Sequence, residues 1–232
     1  MRSSTAHLIR TVLATLILTS GCREMHLDDP TPVRNKGIDV SHFQGTVNWK
    51  RVAEGSVSFA FAKATEGATY TDPKFAKNWT EMKKAGLIRG AYHFLDPATD
   101  GAKQARHFLS VVTLKKGDLP PVVDVERMKR TTNEKLVKIL TAYLGEIHAR
   151  SGHKAIIYVS PAFWKEHIAA NLKAPLSNPL WVAEYGVSSP REVAKLPPWT
   201  FWQHSRKGKV PGVNGDVDLD WGRNVEALRI RR

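Results

Sequence analysis

Residues 120–160 read PPVVDVERMKRTTNEKLVKILTAYLGEIHARSGHKAIIYVS. An apolar run, Val122 to Glu126, follows two prolines. In Thr132–Arg150, Leu136, Ile139, Leu140, Tyr143 and Ile147 recur at intervals of three and four, the pattern of a helix with one apolar face. Gly152 supplies a stop, and a second apolar run, Ala155–Ser160, follows. A strand, a helix of that length and another strand make a βαβ crossover, which joins parallel strands.

The same alternation extends in both directions. Upstream the strands are Gly37–Ser41, Ser58–Thr65 and Ile88–Phe94; downstream they are Leu180–Glu184, Thr200–His204 and Asp216–Trp221. Asp72-Pro73 reads as a helix cap with proline in the first turn, Gly86 closes that helix, and Phe75, Trp79, Met82 and Leu87 line one face of it. Gly101–Val112 is a further helix, with Ala105, Phe108, Leu109 and Val112 on its apolar side. Eight strands alternating with helices predict one α/β domain with a mainly parallel, closed or nearly closed barrel. The last third is expected to be irregular, because Gly186–Trp199 contains three prolines. No internal repeat and no second domain is visible.

A barrel of this kind carries its site at the C-terminal ends of its strands. Those ends are acidic here. Asp124 and Glu126 lie two apart on one strand, so both side chains point the same way, with Cα atoms about 6.6 Å apart. Two acids that close repel when both are ionised, which favours one protonated partner, the condition glycosidic cleavage needs. Asp39 ends the first strand, Glu184 the sixth, and Asp216, Asp218 and Asp220 alternate onto one face of the last. Tyr92, Trp181, Tyr185 and Trp202 accompany them, as do Gln203 and His204. Aromatic rings among carboxylates suit a sugar, whose faces stack and whose hydroxyls need polar partners. His42 and His93 lie in no metal-ligand spacing, so neither a metal nor a cofactor is expected.

The 232 residues carry 35 Lys+Arg against 22 Asp+Glu, a net charge of +13. That implies an anionic partner; the basic residues are spread along the chain, which argues against nucleic acid. Arg2 and Arg10 flank a start that continues into the uncharged TVLATLILTS at 11–20, the pattern of a signal peptide and too short to span a membrane comfortably. Leu18-Thr19-Ser20-Gly21-Cys22 resembles a bacterial lipoprotein cleavage site, with Leu18 one position further from the cysteine than usual. Cys22 is the only cysteine, so it forms no internal disulfide. The chain therefore divides into a signal peptide (1–21), a proline-containing tether (22–36) and a folded domain (37–232). Resemblance to lipoproteins implies a lipid anchor at Cys22, and Arg23 after it favours the outer membrane, facing the periplasm; a secreted protein is the alternative.

The segments Gly37-Ile38-Asp39-Val40-Ser41-His42-Phe43-Gln44-Gly45, Phe61-Ala62-Lys63-Ala64-Thr65-Glu66-Gly67, Gly90-Ala91-Tyr92-His93-Phe94, Asp124-Val125-Glu126, Trp202-Gln203 and Val217-Asp218-Leu219 together resemble glycoside hydrolase family 25, the Chalaropsis-type N-acetylmuramidases. The resemblance runs from about Gly37 to the C-terminus. It implies a single-domain α/β fold, a flattened, irregular TIM-like (β/α)5β3 barrel. It also implies hydrolysis of the β-1,4 bond between N-acetylmuramic acid and N-acetylglucosamine in peptidoglycan. By the same resemblance Glu126 is the general acid, and Asp124 orients the substrate's own acetamido group in a retaining, substrate-assisted reaction. Asp39 and Asp218 are further active-site acids, and Tyr92, Trp181, Tyr185 and Gln203 bind substrate. Asp220 stands where the family more often has Asn. Glu184 is read as structural, and Lys63 and Glu66 as either a mutual pair or part of the rim. A monomer acting on peptidoglycan glycan strands is expected. The alternatives are a non-catalytic peptidoglycan-binding lipoprotein and a secreted, wall-degrading antibacterial effector.

Overall fold

The computed structural model describes residues 34–231. The expected signal peptide, Cys22 and most of the expected tether lie outside them. Nine strands and six α-helices follow in the order β1 (Arg34–Val40), α1 (Trp49–Glu54), β2 (Phe59–Glu66), β3 (Tyr70–Thr71), α2 (Phe75–Lys84), β4 (Ile88–Phe94), α3 (Gly101–Val111), β5 (Val122–Asp124), α4 (Asn133–Ser151), β6 (Ile156–Val159), α5 (Pro161–His167), β7 (Leu180–Ala183), β8 (Trp199–Gly208), β9 (Val217–Arg223) and α6 (Val225–Leu228). The sheet runs β1-β9-β8-β7-β6-β5-β4-β2, and pairing of β1 with β2 closes it into an eight-stranded barrel; β3 is a short addition beside β2. Neighbours from β1 through β2 and β4 to β8 are parallel, while β9 runs antiparallel to both β8 and β1. Five barrel strands are each followed by a helix before the next barrel strand, and the last three are not. This is the (β/α)5β3 arrangement, and the proline-rich segment after β7 is where helices between barrel strands stop.

The period of two along each strand decides what fills the barrel. In β2, Phe59 and Phe61 point inward, whereas Ala60, Ala62 and Ala64 face the helices. Small residues there let α2 and α3 pack close to the sheet. Val122, Ile156, Trp181 and Phe201 join Phe59 and Phe61 inside, forming an aromatic floor in which Phe61 stacks on Trp181 with centroids 4.3 Å apart. One step further along the same inward parity come Asp39, Lys63, Tyr92, Asp124, Tyr158 and Gln203. The polar residues therefore sit directly above the floor, at the C-terminal end of the parallel strands.

Several boundaries differ from expectation. β1 begins at Arg34, inside the segment read as tether, because Arg34 to Asp39 find partners on β9. β5 ends at Asp124, two residues before Glu126. Asp72 is not the cap of α2: Lys74 holds that position, and the Asp72 carboxylate instead accepts from the Lys74 N–H (2.9 Å) and from His42. The cap of α4 is as the sequence suggests, with Thr132 accepting from the Lys135 N–H at 3.3 Å and Gly152 at φ 73°.

Candidate active site

The upper end of the barrel opens into a cleft of about 350 Å³ lined by Asp39, Tyr92, Asp124, Glu126, Trp181, Tyr185, Gln203 and Asp218, all eight residues singled out from the sequence as catalytic or substrate-binding. Lys63, Tyr158, Arg127, Arg206 and Phe43 also line it.

Register brings the acids together. Asp39 lies directly opposite Asp218 in the antiparallel β1–β9 pair, and side chains so placed have Cβ atoms about 4.5–5.5 Å apart. Gln203, on β8, donates its Nε2–H to Asp39 Oδ2 at 2.7 Å. Its Oε1 accepts from Tyr158 OH at 2.9 Å and from Tyr185 OH. With two hydroxyls on its carbonyl oxygen, the Gln203 amide can present only its N–H to Asp39, which fixes that carboxylate. Trp181 is 1% exposed and donates its indole N–H to Asp220 at 2.9 Å. Its ring belongs to the floor, so it supports the acids rather than offering a broad face to sugar. Tyr185, 42% exposed, and Phe43, 82% exposed, are the most exposed rings lining the cleft.

Burial above an apolar floor governs the electrostatics. Asp124 is held well above the ordinary carboxylate range, first by desolvation and then by the neighbouring Glu126, with Lys63 and Arg127 opposing. Glu126 is also raised, chiefly by desolvation, with Arg127 and Lys63 pulling down. It stands open to the cleft, so solvent tempers this effect. Asp218 is pushed up to about 6, by desolvation and then by Glu126. Asp39 is raised by burial and by Asp220 and Asp218. The site is thus a set of carboxyls that resist ionisation together, with Lys63, Arg127 and Arg206 as counter-charges.

The residues left undecided by sequence fall into place. Lys63 pairs with Glu66 at 2.7 Å and also lines the cleft, and Arg127 meets the other Glu66 oxygen at 3.3 Å. Glu184 accepts from the backbone and side chain of Arg191, a structural role. His93 is a core residue: Nδ1 meets Thr65 Oγ1 at 2.7 Å and Nε2 meets Gln104 at 3.0 Å, and burial lowers its pKa to about 4. His42 is held by Asp72 at 2.8 Å. Among the described residues no group of three or more His, Cys, Asp or Glu is arranged to hold a metal. Tyr158 was not among the residues singled out from the sequence, although the inward parity of Ile156 and Tyr158 was an available signal; Asp220 was placed by its spacing on the same face as Asp218 and was given no role there.

The chain is similar to known proteins over most of its length. The family "Glycosyl hydrolases family 25" matches residues 38–213. Lysozyme M1 of Streptomyces globisporus is 38% identical over 193 residues, covering 79% of this chain and 66% of that protein. The uncharacterized protein YegX of Escherichia coli strain K12 is 39% identical over 199 residues, covering 83% of this chain and 71% of that protein. The crystal structure of the bacterial lysozyme from Streptomyces coelicolor superposes with a TM-score of 0.76 at 36% identity, over 84% of this chain and 95% of that one.

Proposed function

Because the chain belongs to glycosyl hydrolases family 25, and is a peptidoglycan-hydrolysing glycosidase of the lysozyme type, we propose that it cleaves the N-acetylmuramic acid to N-acetylglucosamine β-1,4 bond with retention. The observation carrying this reading is the convergence of Asp39, Asp124, Glu126 and Asp218 on one cleft above an apolar floor. Glu126, raised and open to the cleft, gives its proton to the leaving glycosidic oxygen. The acetamido carbonyl oxygen of the same sugar attacks the anomeric carbon from the opposite face, forming an oxazolinium ion. Asp124 steers that acetamido group. Water then opens the ring, passing its proton back to Glu126, and the two inversions amount to retention. Asp39, fixed by Gln203, and Asp218 shape the field and hold substrate hydroxyls, with Tyr92 and Tyr185 on the wall.

The test is release of soluble muropeptides. Wild-type protein should solubilise peptidoglycan and leave reducing-end muramic acid by mass spectrometry. Glu126→Gln should fold normally and lose about 10²–10⁴-fold in rate. Undiminished solubilisation by that variant sinks the assignment, and anhydro ends would indicate a lytic transglycosylase.

The protein acts at the cell wall, and we place it there on a lipid anchor at Cys22, at the outer membrane facing the periplasm. Two features support this: the short apolar segment at 11–20 and the small residues before a sole cysteine. Wild-type protein should fractionate with membranes and Cys22→Ala should not. A soluble wild-type protein removes the anchor and leaves a secreted enzyme.

A further inference from the structure

Asp220 lies beneath the acids already described and has no part in the reaction so far. It is 1% exposed. Its place in the sheet is fixed on both sides, opposite Gly37 of β1 and Gln203 of β8. Its Oδ1 accepts from Trp181 Nε1 at 2.9 Å, and its Oδ2 is fully buried without a donor. The Asp39 carboxyl is within hydrogen-bonding reach of both Asp220 and Asp218.

Consider what surrounds this group. From β1 it faces Asp39, and along β9 it faces Asp218. From β8 and β7 it meets the neutral Gln203 and Trp181. Asp39 in turn feels Asp124. No cation lies among the groups that act on Asp220; Arg206 acts on Asp218, Lys63 and Arg127 on Asp124. Two carboxylates in contact, both ionised, both desolvated and without a cation between them, are strongly unfavourable. A single proton between them removes the repulsion and also gives the bare Oδ2 a partner, because a protonated carboxyl is a donor. Asp39 already receives Gln203 Nε2–H and borders the cleft, so it is the better-solvated anion. The proton then belongs on Asp220.

We propose that Asp220 serves as a neutral carboxylic acid whose Oδ2–H is donated to Asp39, making it a positioning residue that holds Asp39 ionised and aimed into the cleft. Burial raises Asp220 well above the usual range, in keeping with this. The role needs a donor at that point, not a charge. The inference rests on Asp39 belonging to the active site.

Amide substitution tests it. Asp220→Asn keeps a donor toward Asp39 and should retain kcat within about threefold at neutral pH. Asp220→Ala and Asp220→Leu remove the donor and should lose about 10–100-fold, mainly in kcat. An infrared spectrum of wild-type protein at neutral pH should contain a buried protonated-carboxyl stretch that Asp220→Asn lacks, a readout independent of activity. Loss in Asp220→Asn equal to that in Asp220→Ala overturns the proposal, as does a spectrum without that band. A fully active Asp39→Asn with the band still present would instead overturn the catalytic reading of Asp39 and, with it, the positioning role.

Discussion

Asp124 and Glu126 are two residues apart, yet the first is 8% exposed on a strand and the second stands beyond the strand end, open to the cleft. That difference fits one to a fixed orienting role and the other to exchanging protons with substrate and water. A general acid works only while protonated, so activity should fall as pH rises through the raised Glu126 pKa. Arg127 lowers that pKa. Arg127→Ala should therefore move the alkaline limb of kcat/KM upward, by a few tenths of a pH unit for so exposed a cation. A limb that stays put or moves down would show that the limb belongs to another group. Asp218 makes a different prediction. Its pKa rises from 3.8 unfolded to about 6 folded, so its contribution to stability is whole below 3.8 and lost as pH rises through 6. Asp218→Asn cannot ionise, and should melt about 2–4 °C above wild type near pH 7.5 and level with it near pH 3.5. Equal melting at both would mean that Asp218 is not strained by its surroundings.

At the scale of elements, α3 and α4 pack closely because α3 begins at a glycine. A Cβ at Gly101 would lie 2.0 Å from the Ile139 carbonyl oxygen of α4, so one helix or the other must move. Gly101→Ala should cost about 1–3 kcal/mol, read as a lower urea midpoint at unchanged slope. Pattern exposed most of these elements: the barrel strands as short apolar runs and the helix of 132–150 as spacings of three and four. What escaped depends on partners distant in sequence. The extension of β1 back to Arg34 exists because β9 lies alongside, nearly 190 residues later. Asp72 resembles a cap, but a more distant partner, His42, shares its carboxylate with the local Lys74 N–H. Asp39, Asp124, Glu126 and Asp218 were legible as acids at strand ends. The need for Tyr158 and Asp220 was not, because it arises from how Gln203 and Asp39 are satisfied, and only the folded sheet brings those strands side by side.

At the scale of the molecule, the acids of the cleft coexist with a net charge of +13. A basic excess of that size would draw the protein toward an anionic wall, and attraction of that kind is screened by salt. Raising sodium chloride from about 0.05 to about 0.5 M should increase KM for intact peptidoglycan severalfold and leave kcat nearly unchanged. A flat KM would mean that binding is made inside the cleft alone. One feature of the sheet bears on how such a chain survives until it is folded. Pairing of β1 with β2 closes the ring, and the only strand outside it among the described residues, β3, is two residues long. A long unpaired edge invites a second chain to add itself strand by strand. Here the finished molecule offers almost no such template. A chain in which β9 has not yet paired with β8 and β1 would still present both of those edges to a second chain.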